Sequence, residues 1–133
     1  MQKGSLSKLI ATYLKANMLK PFKWGEHDCC TFACDIIKLK HGIDHCEHVR
    51  GSYQTPSAAK RVLVKHFGSM SNGFGNVVTE KDPRFLQSCD LALLDTSNGK
   101  TMALFYGGSF WAVGERGMVT LSGNNPILKA WEI

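Results

Sequence analysis

The chain has 133 residues, of which 44% are hydrophobic and 20% charged, and 16 basic against 11 acidic side chains give a formal charge of +5. That length suits one domain, residues 1–133, with a core that needs no staples. Apolar residues run along the whole chain and exclude a disordered polymer, while the scattered lysines form no basic run with interleaved aromatics and so speak against nucleic-acid binding. Attraction to an anionic polymer such as cell-wall material stays compatible with the charge. The first residues, MQKGSLSKLIATYLK, lack the apolar stretch of a signal peptide. No segment approaches the ~20 apolar residues of a membrane span. Five cysteines, an odd number without an export signal, are expected to be thiols rather than a disulfide framework.

In chain order, Ser5 is positioned to cap a first helix with Leu6, Leu9, Ile10, Tyr13, Leu14 and Met18 on one apolar stripe, stopped by Pro21. A second helix is expected from Asp28, its N-cap, through Ile36 and Leu39 to a Gly42 stop. A third runs from Ser57 to Phe67, after Pro56 and before Gly68. Residues 69–89 carry weak signals and read as loops with one short element. From residue 90 the period becomes two, and strands are expected at Leu91–Asp95, Thr101–Tyr106, Ser109–Val113, Met118–Leu121 and Leu128–Ile133. Glycine- and asparagine-rich turns between them imply an antiparallel meander. Helices followed by strands make an α+β fold: N-terminal helices packed on a C-terminal antiparallel five-stranded sheet or partial barrel.

The stretch WGEHDCCTFACD, residues 24–35, carries the chemistry. Cys29 follows the expected N-cap, where unpaired helix N–H groups and the positive dipole end favour a thiolate. Cys30 and Cys34, spaced i and i+4, share a helix face with Ile37 and read as small buried packing residues. A metal site is a second reading, because residues 27–48 also hold His27, His41, His45, Cys46 and His48. Their spacings match no common zinc pattern, so neither a metal nor a cofactor is expected. Arg50, in RGSY, is expected to fix the following loop by bonds to backbone carbonyls. Trp24 and Trp131 read as core or groove aromatics, and Asp90 and Asp95 as turn caps or buried hydrogen-bonding groups.

PFKWGEHDC followed by an apolar helix resembles the nucleophile motif of NlpC-type cysteine peptidases, papain-like enzymes that cut peptidoglycan stem peptides. Phe22, Trp24, Gly25, Asp28 and Cys29 fill the motif's places. More closely, the chain is similar to small phage-encoded NlpC-like proteins found near tail genes. They share PF-x-WG-x-HDC, a later RG-x-Y (Arg50, Gly51, Tyr53), a Gly-Asp-apolar strand, here with Cys89 in the glycine place before Asp90, and a C-terminal Ala130-Trp131. The resemblance implies a single NlpC-like domain, other phage tail proteins as partners, peptidoglycan as a ligand, and a place in the virion after assembly in the host cytoplasm. It also implies a histidine on the strand after the Gly-Asp strand, where this chain has Met102. The third polar place falls among Trp111, Ala112, Val113 and Gly114. No histidine follows His66, and a methionine accepts no proton. His27, two residues before Cys29, is the nearest alternative base. His41, His45 and His48 lie past the helix's far end, about 18 Å away at ~1.5 Å per residue. The expectation is a structural or binding component of a phage tail with Cys29 and His27 as candidate catalytic residues of a degenerate site. An active peptidase or amidase acting on peptidoglycan peptides is the competing class, and a thiol or metal-binding accessory protein the third.

Overall fold

The computed structural model describes residues 3–67 and 78–133. Its first helix, α1 (Lys3–Asn17), starts ahead of Ser5, which lies inside it instead of capping it. Leu6, Ile10 and Leu14, spaced by four, are its buried stripe, while Leu9 and Met18 stay partly exposed. The helix ends four residues before Pro21, with the Asn17 side chain donating to the Tyr13 carbonyl.

The second helix, α2 (Cys29–His41), is the centre of the fold. Asp28 caps it in extended conformation, and a reciprocal bond from the Asp28 N–H to Thr31 Oγ1 completes a capping box. At the other end Gly42 takes φ 74° and its N–H returns to the Lys38 carbonyl, a left-handed stop that glycine adopts without strain. Phe32, Ala33, Cys34, Ile36 and Ile37 are completely buried, because α1 packs on one side of α2 and the sheet on the other. The third helix, α3 (Pro56–Phe67), opens with Pro56 in its first turn, where the missing N–H costs nothing.

The sheet has six antiparallel strands in the order β1-β6-β2-β3-β4-β5. Strands β2 (Asp90–Thr96), β3 (Gly99–Tyr106), β4 (Ser109–Gly114) and β5 (Gly117–Leu121) form the expected meander, and β6 (Ile127–Glu132) returns to pair with β2. The expected count of five is corrected by β1 (Thr79–Lys81), which adds to the free edge of β6. Its sequence, Thr-Glu-Lys, has no apolar alternation. Backbone pairing with β6 makes it a strand, supported by an ion pair from Lys81 Nζ to Asp90 at 2.7 Å. A 3-10 turn, Pro83–Phe85, follows it. Of the hard-to-read segment 69–89, residues 69–77 lie outside the described residues.

Strand alternation divides the core. Leu91, Leu93, Met102 and Leu104 join Trp131 and the residues of α1 and α2 in one cluster. Ala92, Leu94, Ala103, Phe110 and Ala112 face the other way and form a second. Strand β2 is buried on both faces for this reason. Cys89, just before it, is the one described non-glycine residue with positive φ, at 82°, in the place where the resemblance has glycine.

Candidate functional site

The turn before α2 is built around one carboxylate. Asp28 is almost fully buried and accepts four hydrogen bonds. Its Oδ1 takes the N–H groups of Cys30 and Thr31 at 3.0 and 2.9 Å; its Oδ2 takes the Gly25 N–H at 2.9 Å and the Tyr53 hydroxyl at 2.6 Å. Two sequence motifs therefore meet here. Gly25 of the Trp-Gly turn accepts the Gly51 N–H at 2.8 Å, and the Tyr53 carbonyl lies 2.5 Å from where a Cβ on Gly25 would stand. With φ at 80° as well, position 25 admits only glycine. Burial, then the bond to Asp28, pushes the Tyr53 hydroxyl far above its ordinary range, so it donates and stays neutral.

This cap fixes Cys29 as the first residue of α2, at the wall of a groove of about 760 Å³. Phe22 and Trp24, edge to face at 4.7 Å, form one side of the groove. Thr96, Asn98 and Lys100 of the β2–β3 hairpin and Glu115 of the β4–β5 turn add polar groups on the other. A hydrogen bond from the Phe22 N–H to the Gly114 carbonyl joins the two walls. Desolvation pushes the Cys29 thiol up to about 11, against a smaller opposing pull from the Met102 backbone amide. The Met102 side chain is completely buried in the main core cluster.

His27 is completely buried too, held by paired backbone bonds with Lys23. Neither ring nitrogen has a hydrogen-bond partner, so the imidazole is not hydrogen-bonded to the Cys29 sulfur. Burial, followed by the charge of Lys20, lowers its pKa and keeps the ring neutral. Of the histidines that the helix length sets far from Cys29, His41 and His48 are exposed and His45 is half-buried. Trp24 lines the groove and Trp131 lies in the core, the two places open to them. Asp90 is buried and accepts from Lys81 and from the Gln87 N–H, each at 2.7 Å.

Two expectations are corrected. Arg50 binds carboxylates rather than backbone carbonyls: its Nε reaches Asp44 at 2.7 Å and a terminal nitrogen reaches Asp35 of α2 at 2.6 Å. Tyr13 of α1 donates to the same Asp35 at 2.6 Å, so one guanidinium ties α1, α2 and the following loop together. The Arg50 bonds hold the Asp44 carboxyl below the usual carboxylate range. Cys34 and Cys46, expected as thiols, are joined as a disulfide with Cα atoms 6.0 Å apart. The compartment argument weighs redox environment and carries no information on proximity; the loop after α2 folds Cys46 back onto the face that carries Cys34. No sequence signal marked this convergence or the Asp28–Tyr53 bond, although RGSY marked its segment as special.

Among known families, the model of the family described as Domain of unknown function (DUF6950) matches residues 3–133, so the chain belongs to that family. No curated protein matches the chain.

Proposed function

We propose that this member of the DUF6950 family is a papain-like, NlpC-type domain serving a phage tail as a structural or binding component, with a degenerate catalytic site. The observation that carries the reading is the residue at the nucleophile's side: the Met102 amide reaches the Cys29 sulfur, and its side chain is a thioether sunk in the core. A peptidase of this type needs an imidazole there to take the thiol proton and return it to the leaving amine. The neutral His27 ring, with no hydrogen bond to the sulfur, does not supply that function. The groove of about 760 Å³ beside Cys29 supports a peptide as the ligand. Its aromatic wall and mixed polar wall suit the amides and carboxylates of peptidoglycan stem peptides, and the net charge of +5 suits an anionic wall polymer.

Iodoacetamide labelling of Cys29, located by peptide mass spectrometry from about pH 5 to 9, tests the reading. A thiol near 11 labels at a rate that climbs about tenfold per pH unit throughout, without a plateau. Purified cell wall should release no peptides. A labelling plateau near neutral pH, together with wall cleavage abolished by Cys29→Ser, would overturn the proposal in favour of an active peptidase.

A further inference from the structure

We infer that Cys30, Cys34 and Cys46 form a binding site for a soft, thiophilic metal cation, open when the Cys34–Cys46 disulfide is reduced. The three sulfurs lie within 4.8 Å of one another and all three residues are buried. Two come from one face of α2 and the third from the loop folded onto it, which is why the spacing resembles no zinc-finger pattern. The loop is held in place by the same network that positions Arg50: Asp44, bound by that guanidinium, accepts the Cys46 N–H at 3.0 Å. Sulfur donors are thus brought together before any ion arrives.

The distances favour a d10 or similar divalent ion. A metal–sulfur bond of about 2.3 Å places two thiolates ~3.8 Å apart at a tetrahedral angle. The Cys30 and Cys46 sulfurs stand 3.8 Å apart. Breaking the Cys34–Cys46 bond frees the Cys34 sulfur to serve as the third ligand. Three buried sulfur donors disfavour calcium and magnesium, which require oxygen ligands. Burial pushes the Cys30 thiol well above its ordinary range, so the ion itself must displace the proton; the α2 N-terminus, where Cys30 is the second residue, and the Arg50 charge pull the other way. His45, next to Cys46 in the chain, has a buried Nε2 without a hydrogen-bond partner, but it is not among the three donors that converge.

Opening the site takes two electrons and two protons. A phosphine reductant supplies the electrons and becomes its oxide, water supplies the oxygen and protons, and the disulfide yields two thiols. A bound divalent ion then displaces the thiol protons to solvent. The inference is independent of the reading of Cys29.

Anaerobic titration of phosphine-reduced protein with Co2+ tests it. The expected result is a sulfur-to-cobalt charge-transfer band that saturates at one equivalent per chain, is bleached by Zn2+, and is lost in Cys46→Ser. The same wild-type chain with its disulfide intact should give no band, a comparison that needs no variant to fold. Cys29→Ser and Cys89→Ser should keep the band unchanged; an unfolded chain would recruit those thiols as well. Absence of the band in the reduced wild type, or its loss in Cys29→Ser, overturns the inference.

Discussion

Asp28 and His27 are adjacent and buried, yet their environments are opposite. Every oxygen of Asp28 is engaged by donors from three separate segments, so the carboxylate is stable in the interior. His27 makes no ring hydrogen bond and bears the full cost of burial. An apolar residue of similar size should therefore be tolerated. His27→Leu is expected to keep or raise stability at neutral pH, measured by urea unfolding. The pH dependence has a definite sign. Because burial lowers the folded pKa of His27, the unfolded chain takes up its proton first, and stability is lost as pH falls below the ordinary histidine value of about 6.5. His27→Leu should remove the loss that sets in below about pH 6.5, leaving the fall at lower pH where Asp44 protonates away from Arg50. If the variant showed the same slope in that window as the parent, a different group would be responsible.

At the level of elements, α2 and the loop after it behave as one unit. The disulfide closes a loop across a sequence separation of 12 residues, and Arg50 crosses the same loop to Asp35. Chain-entropy arguments put a cross-link of that size at about 3 kcal/mol. Reduction should lower unfolding stability by that amount, read from denaturant midpoints with and without reductant. A loss under about 1 kcal/mol would show that the Arg50 network alone holds the loop. The ends of α2 were legible in the sequence because Asp28 and Gly42 encode them within a single turn. Strand β1 was not, since nothing in Thr-Glu-Lys marks it until β6 offers an unpaired edge. Helix α1 shows the intermediate case. Its stripe at spacing four was readable, but whether Leu9 joins it depended on where α2 lies.

At the scale of the whole molecule, the groove is assembled from the turn around Trp24, the start of α2, the β2–β3 hairpin and the β4–β5 turn, none of which forms a site alone. The inactive reading accordingly depends on more than one side chain. On the proposed reading, a histidine placed at position 102 should not by itself create chemistry: Met102 occupies the apolar core, and the adjoining strand offers Trp111 and Val113, which cannot orient an imidazole. Met102→His is expected to lose about 2 kcal/mol of stability through an unsatisfied buried ring. Its Cys29 labelling should still climb toward alkaline pH. A new labelling limb near neutrality would show that one substitution completes the site. No helix among the described residues is long and apolar enough to cross a membrane.

Taken alone, the amino-acid order determined the succession of three helices and an antiparallel meander, the cap at Asp28, the stop at Gly42 and the position of Cys29 at a helix start. Each of these is written in a few neighbouring residues through periodicity and capping, so the unfolded chain already carries it. Tertiary structure decided that Cys46 meets Cys34, that Tyr53 and Gly51 close on the Trp-Gly turn, that Arg50 selects two carboxylates, and that the Met102 amide reaches Cys29. Those contacts join segments between 6 and 73 positions apart, and side-chain chemistry alone does not say which segments folding will bring together.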